Sequence, residues 1–218
     1  MSSKICLLTN ACPVVALMSR KGYLVQTYAR RVHPSMQVAF LDRDGVIIKN
    51  RSDYVLDESD VEVLPHAVEA VSWLGRNGYG IILVTNQSAV GRGVLTRSKV
   101  LDIDAHVVAQ FGPARDVFLA TYLCPHAPGA RCICRKPMPT MIEHAIITFG
   151  AQPTKSFLIG DALTDIEAGD RAGLATGMVL SGRGGTSDIQ GLDRFRSKAY
   201  SDVFAAAKAL HATVTEPR

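Results

Sequence analysis

Three short apolar runs, each ending in small polar or acidic side chains, constrain this chain more than any other feature. Residues 38–41 lead into Asp42-Arg43-Asp44-Gly45. Residues 80–84 end in Thr85-Asn86-Gln87-Ser88. Residues 157–159 end in Gly160-Asp161, with Asp165 one helical turn further on. Apolar runs of this length, bounded by turn residues, are the pattern of strands buried on both faces. Two more such runs, 117–123 and 175–180, complete a set of five. Helical periodicity fills the gaps. Residues 65–77 put Ala67, Val68, Val71 and Leu74 on one stripe, and Pro65 suits the first turn. Residues 97–111 follow a Thr96 cap and turn Val100, Ile103, Val107 and Val108 inward. Helices are also expected over 138–149, where Pro137 suits the start, and over 164–172 and 201–210. Residues 181–199, rich in Gly and Ser, read as loop. Strands alternating with helices imply an α/β fold with a doubly wound parallel sheet.

The polar ends of these runs carry the chemistry. Asp42 and Asp44 sit at i and i+2, so both carboxylates can share a face. Two carboxylates in one small site repel unless a cation or a shared proton intervenes. Lys136 lies just before a predicted helix. In open α/β sheets the carboxyl ends of the strands are where ligands bind. The collected groups, Asp42, Asp44, Thr85, Lys136, Asp161 and Asp165, match the needs of phosphoryl transfer to an aspartate. They supply a nucleophile, an acid, a hydroxyl and an ammonium for phosphoryl oxygens, and carboxylates for Mg²⁺.

These segments resemble the four motifs of the haloacid dehalogenase superfamily: Asp-x-Asp-Gly, Thr-Asn, a lysine, and Gly-Asp-x-x-x-Asp. The resemblance spans roughly residues 37–180. It implies a Rossmann-like haloacid dehalogenase fold. Asp44, two residues after the nucleophile, marks the phosphatases within that superfamily. Asp-Arg-Asp-Gly, Thr-Asn-Gln-Ser, Cys-Pro-His and Cys-x-Cys-Arg-Lys-Pro together are similar to the D-glycero-D-manno-heptose 1,7-bisphosphate phosphatases. Histidinol-phosphate phosphatases share most of that set and give the alternative substrate. The run from Asn86 to Gly93 favours the heptose group; Thr140 departs from the usual glycine.

The resemblance implies these roles. Asp42 attacks phosphorus and Asp44 protonates the leaving oxygen. Thr85 and Lys136 contact the phosphoryl group. Mg²⁺ is held by Asp42, Asp161 and the main-chain carbonyl of Asp44. Asp165 orients Lys136 or a metal-bound water. Asn86, Gln87, Ser88 and Arg135 are candidate substrate-binding residues, with Arg92 and Arg183 weaker ones. Arg135 suits a second phosphate because its fork binds phosphate bidentately.

Cys124, His126, Cys132 and Cys134 place three thiols and an imidazole within eleven positions. That set suits a closed tetrahedral Zn²⁺ site, structural because four protein ligands leave no open position. Cys6 and Cys12 have no such context. Clustered, reduced thiols argue against a disulfide framework and fit the cytoplasm.

With 218 residues, 47% of them hydrophobic, the chain can bury one substantial core. No apolar run reaches the length of a membrane span. The formal charge of +4 is concentrated early: Lys4, Arg20, Lys21, Arg30 and Arg31 precede the first acid, Asp42. The remainder is nearly balanced, which excludes a basic nucleic-acid surface. Residues 1–35 are therefore expected to be an extension, with an edge strand over 23–28, ahead of a single phosphatase domain at 36–218. No insertion is long enough for a large cap domain, so loops at 50–54 and 89–95 should wall an open site in a monomer. A phospho-aspartate receiver is the rival class; it shares the Asp, Thr and Lys inventory but not the Gly-Asp-x-x-x-Asp spacing.

Overall fold

The computed structural model describes residues 15–28, 35–183 and 186–216. Cys6 and Cys12 lie outside the described residues, as does most of the expected extension. Eight strands form one sheet: β1 (Val15–Met18), β2 (Leu24–Thr27), β3 (Gln37–Leu41), β4 (Tyr79–Asn86), β5 (Phe118–Cys124), β6 (Phe157–Gly160), β7 (Ala175–Val179) and β8 (Lys198–Tyr200). Their spatial order is β1-β2-β5-β4-β3-β6-β7-β8. From β5 to β8 all neighbours are parallel. The helices between them are α1 (Ala67–Arg76), α2 (Ser88–Gly91), α3 (Arg97–Ala109), α4 (Thr140–Phe149), α5 (Leu163–Arg171), α6 (Thr186–Gly191) and α7 (Val203–Thr215).

The sheet is buried on both faces, and its strands show why apolar runs identified it. In β3, Ala39 and Leu41 join one core with α1, α3 and α7, while Val38 and Phe40 join the opposite core with α4. Ile81 and Leu83 alternate with Ile82 and Val84 in the same way. At about 25 cal/mol per Å² of apolar surface, burying each such side chain stabilises by roughly 1.5–3 kcal/mol.

From β3 the chain winds outward to β4 and β5, then returns to the centre and winds the other way through β6, β7 and β8. The direction reverses beside β3. At such a switch point two crossovers diverge and leave a crevice at the strands' carboxyl ends. Asp42, Thr85 and Asp161 all lie at that edge.

Several expectations need correction. The sheet is not wholly parallel: β1 and β2 form a hairpin that pairs antiparallel with β5. Residues 24–27 do form a strand, but β1 takes the sheet edge outside it. Residues 181–199 are not simply loop; they contain α6 and β8. Helix α4 starts at Thr140, after a turn in which Met138 N donates to Arg135 O at 2.9 Å. Val68 is 43% exposed, and Ala70 takes the inward position in α1. The Thr96 cap is present, its hydroxyl accepting from Lys99 N at 3.1 Å.

Candidate active site

The turn after β3 delivers the first carboxylates. Gly45 has φ +87°, where an L side chain is strained, and a Cβ there would lie 2.4 Å from Asp161 Oδ2. Glycine therefore lets the β3 turn close against the end of β6. Gly160 serves the same end, since a Cβ on it would meet the Asp165 side chain.

Asp42, Asp161 and Asp165 each bring a carboxylate oxygen within 4.8 Å of the other two. All three are buried, and Asp161 Oδ1 has no hydrogen-bond partner. Burial, then the charges of Asp42 and Asp165, push Asp161 up to about 7. Like charges crowded out of water favour a cation or a proton. The protein supplies two cations, and Arg183 Nε lies 3.6 Å from Asp161 Oδ2. Lys136 Nζ lies 3.0 Å from Asp42 Oδ1 and 2.5 Å from Asp165 Oδ1, and donates to Val84 O at 2.6 Å. Burial would lower its pKa, but Asp165 and Asp42 outweigh that and raise it. Lys136 is therefore a fixed ammonium. The remaining hard oxygens suit a divalent cation such as Mg²⁺, which takes carboxylate ligands and retains water.

The Asp44 carboxylate is not among these three and has partners of its own. Its Oδ2 accepts from Gln87 Nε2 at 2.6 Å, and Arg43 donates to both of its oxygens at 3.2 Å. Gln87 Nε2 also reaches Thr85 Oγ1 at 2.9 Å. Asn86 pairs with the main chain of Lys136 in both directions, at 3.1 and 3.2 Å, and so fixes the lysine loop. Arg183 N donates to Asp161 Oδ2 at 2.8 Å. An open cleft of about 570 Å³ lies over these groups, lined by Asp44, Asn86, Gln87, Ser88 and Lys136. Arg51, Arg92, Arg135 and Arg183 also line it. Residues 50–52 and Tyr54 form one wall, as their position after the Asp-x-Asp-Gly turn suggested.

The second cluster sits beyond β5. Cys124 Sγ lies 3.8 Å from Cys132 Sγ and 3.3 Å from Cys134 Sγ. His126 Nδ1 is 3.5 Å from Cys124 Sγ and 3.2 Å from Cys134 Sγ. Metal–sulfur bonds of about 2.3 Å and metal–nitrogen bonds of about 2.0 Å give tetrahedral edges of roughly 3.5–3.8 Å. The four groups therefore fit one tetrahedral ion. The neighbouring Cys134 thiol pulls Cys124 down to about 5, while Cys134 itself is raised. Sulfurs this close cannot all ionise without a cation. The clusters are joined by two residues: Arg135 Nη1 donates to His126 O at 3.2 Å, and Lys136 follows it.

Sequence reasoning missed Arg43, which is 1% exposed and grips Asp44. A lone arginine in a turn carries no periodic signal of burial.

A family model described as HAD-hydrolase-like matches residues 133–207. The chain is 36% identical over 149 residues to the D-glycero-beta-D-manno-heptose-1,7-bisphosphate 7-phosphatase of Neisseria meningitidis serogroup A, covering 68% of this chain and 80% of that one. It is 33% identical over 184 residues to the D-glycero-D-manno-heptose-1,7-bisphosphate 7-phosphatase of Chlorobaculum tepidum, covering 79% and 92%. Among solved structures, the B. bronchiseptica D,D-heptose 1,7-bisphosphate phosphatase complexed with magnesium and phosphate superimposes with a TM-score of 0.70 at 26% identity. That match covers 80% of this chain and 98% of the other.

Proposed function

The chain belongs to the haloacid dehalogenase-like phosphatases, in the family of the heptose-1,7-bisphosphate 7-phosphatases, and from that membership we propose that it removes the 7-phosphate of D-glycero-D-manno-heptose 1,7-bisphosphate. The observation that carries this reading is the buried Asp42–Lys136–Asp165 and Asp161 cluster under an arginine-lined cleft. Four arginines suit a substrate with a second phosphate. They oppose histidinol phosphate, whose amine is cationic.

In the proposed reaction the 7-phosphate enters the cleft and an Asp42 oxygen attacks phosphorus. The bond to the sugar oxygen breaks, and Asp44 gives that oxygen a proton. The Thr85 hydroxyl and the Lys136 ammonium hold the phosphoryl oxygens. Lys136 already has three acceptors, so its contact with Asp42 is the one exchanged for phosphate. Asp44 then takes a proton from the water that attacks the aspartyl-phosphate, which restores Asp42 and releases phosphate. Asp42, Asp161 and the Asp44 main chain would hold Mg²⁺, which supplies charge neutralisation for the phosphoryl oxygens. Asn86 fixes the lysine loop, Gln87 steadies Asp44, and Ser88 and Arg135 face the substrate.

Zn²⁺ is the ion we assign to Cys124, His126, Cys132 and Cys134, with a structural role because the four ligands fill its tetrahedron. Thiolate ligands need reduced sulfur, which fits the cytoplasm. Residues 36–218 are the catalytic unit in this reading. Both clusters come from one chain, so a monomer suffices.

The test is phosphate release from heptose 1,7-bisphosphate and from histidinol phosphate under Mg²⁺. The expected result is many turnovers per chain on the first, with kcat/KM at least tenfold higher than on the second. A preference for histidinol phosphate would reverse the assignment. A single turnover per chain would indicate a phospho-aspartate switch.

A further inference from the structure

Arg43 is among the largest fully buried side chains of the described residues, and the proposed reaction gives it no task. Its guanidinium meets Asp44 fork to fork, Nε on Oδ2 and Nη2 on Oδ1, both at 3.2 Å. On its other side, Nη1 faces Asp104 Oδ1 at 3.8 Å. Asp104 lies on α3 and is fully buried. Its second oxygen, Oδ2, accepts from the Tyr28 hydroxyl at 2.5 Å. Tyr28 directly follows β2, and its N–H donates to Leu119 O at 2.9 Å, which ties it to β5. Its hydroxyl also lies 3.4 Å from Thr121 Oγ1. Five side chains from four parts of the fold, the turn after β3, α3, the end of β2 and β5, thus make one line from the interior to the cleft.

Such a line is poor value as a source of stability. Buried ion pairs often contribute no more than well-packed apolar residues of similar volume. It is better explained by what it aims. A planar guanidinium drawn by charge toward Asp104 on one edge presents its other edge to Asp44, and that edge sets the plane of the Asp44 carboxylate. A displacement of about 1 Å at a reacting group can cost roughly a hundredfold in rate.

We propose that Arg43 is the positioning residue for Asp44, and that Asp104 and Tyr28 hold Arg43 in place, so the β1–β2 hairpin segment takes part in catalysis from outside the cleft. The proposal rests on the reading of Asp44 as the acid that protonates the leaving oxygen.

The experiment compares two Mg²⁺-dependent substrates, a sugar phosphate with a poor leaving group and an aryl phosphate with a good one. The variants are Tyr28→Phe, Arg43→Lys, Asp44→Asn and the double variant Tyr28→Phe/Asp44→Asn. Tyr28→Phe keeps the ring and removes one hydroxyl. It should lower kcat on the sugar phosphate about tenfold, as loss of an outer-shell partner commonly does. KM, and kcat on the aryl phosphate, should stay within about twofold. Arg43→Lys keeps the charge, loses the fork, and should give the same pattern with a larger loss. In the Asp44→Asn background, Tyr28→Phe should have no further effect, because interactions through a shared partner are not additive. Equal losses on both substrates, no loss on either, or a Tyr28→Phe effect that persists without Asp44 would each overturn the proposal. If Asp44→Asn itself fails to distinguish the substrates, the acid assignment falls, and the proposal with it. If Asp44→Asn distinguishes them and Tyr28→Phe does not, only the proposal falls.

Discussion

The oxygen cluster at the strand ends and the sulfur–nitrogen cluster beyond β5 are built on the same principle and differ in what they leave open. Each gathers groups that repel one another when ionised, and so each favours a cation. The oxygen set, Asp42, Asp161 and Asp165, is positioned by the ends of β3 and β6 and the first turn of α5, and adjoins the cleft. With Asp165 engaged by Lys136, the carboxylates of Asp42 and Asp161 and one main-chain carbonyl would not fill an octahedral shell, which would leave room for water and substrate. The sulfur–nitrogen set, from the end of β5 and the loop after it, offers four ligand atoms within reach of one ion, which would complete a tetrahedron and leave no open position. Local geometry thus separates a centre that can do chemistry from one that can only hold shape. Arg135 and Lys136 run from one to the other.

The largest effect should come from the oxygen side. Asp42→Asn should lower kcat by more than about 10⁴-fold, because uncatalysed phosphate-ester hydrolysis has a very high barrier and the amide is no nucleophile. The circular dichroism spectrum should be unchanged. Phosphate release near the wild-type rate would show that the two clusters have been assigned the wrong way round.

Chelation comes next. Dialysis against EDTA, enough to strip Mg²⁺ but too brief to extract a closed thiolate site, should abolish turnover, and added Mg²⁺ should restore it in full. Activity that returns only with Zn²⁺ would erase the distinction between the centres.

A pH effect sharpens the comparison. Without metal, burial and its neighbouring carboxylates hold Asp161 at about 7. Below that pH the proton must leave before Mg²⁺ binds. The Mg²⁺ concentration for half-maximal activity should rise about tenfold per pH unit below 7 and flatten above it. A flat dependence from pH 5 to 8 would mean that Asp161 is not a ligand.

The smallest catalytic loss should come from the sulfur side. Cys134→Ser should yield zinc-free protein with kcat/KM lowered about tenfold, through loose positioning of Arg135 and Lys136, and with a lower Tm. Ordering a loop residue costs about 1–2 kcal/mol, and this loop has few apolar side chains to offset it. Metal analysis and kinetics on that variant read both effects. Unchanged kinetics without zinc would uncouple the clusters.

Both clusters were legible because their residues are local in sequence or close a buried strand. Strands β3, β4 and β6 are apolar on both faces, so their ends could be found and Asp42, Thr85 and Asp161 located. The hairpin was harder. Leu17 and Met18 are 65% and 50% exposed, so β1 lacks the apolar run that marked the core strands. Strand β8, Lys-Ala-Tyr, has only three residues and no buried face. The Tyr28–Asp104 contact joins residues 76 apart, beyond any local pattern. One signal was present: Asp104 lies four residues after Val100 and four before Val108, on the inward stripe of α3. An acid there is buried, and a buried acid needs partners.

The central claim is that Asp42 becomes phosphorylated during turnover. Protein quenched in acid while hydrolysing substrate under Mg²⁺ should carry an acyl phosphate, which borohydride reduces to homoserine. Mass spectrometry of the peptide containing residues 40–48 should find that conversion at position 42, dependent on both substrate and Mg²⁺. Conversion at Asp161 or Asp165 instead, or none at any aspartate under conditions of steady turnover, would contradict the account.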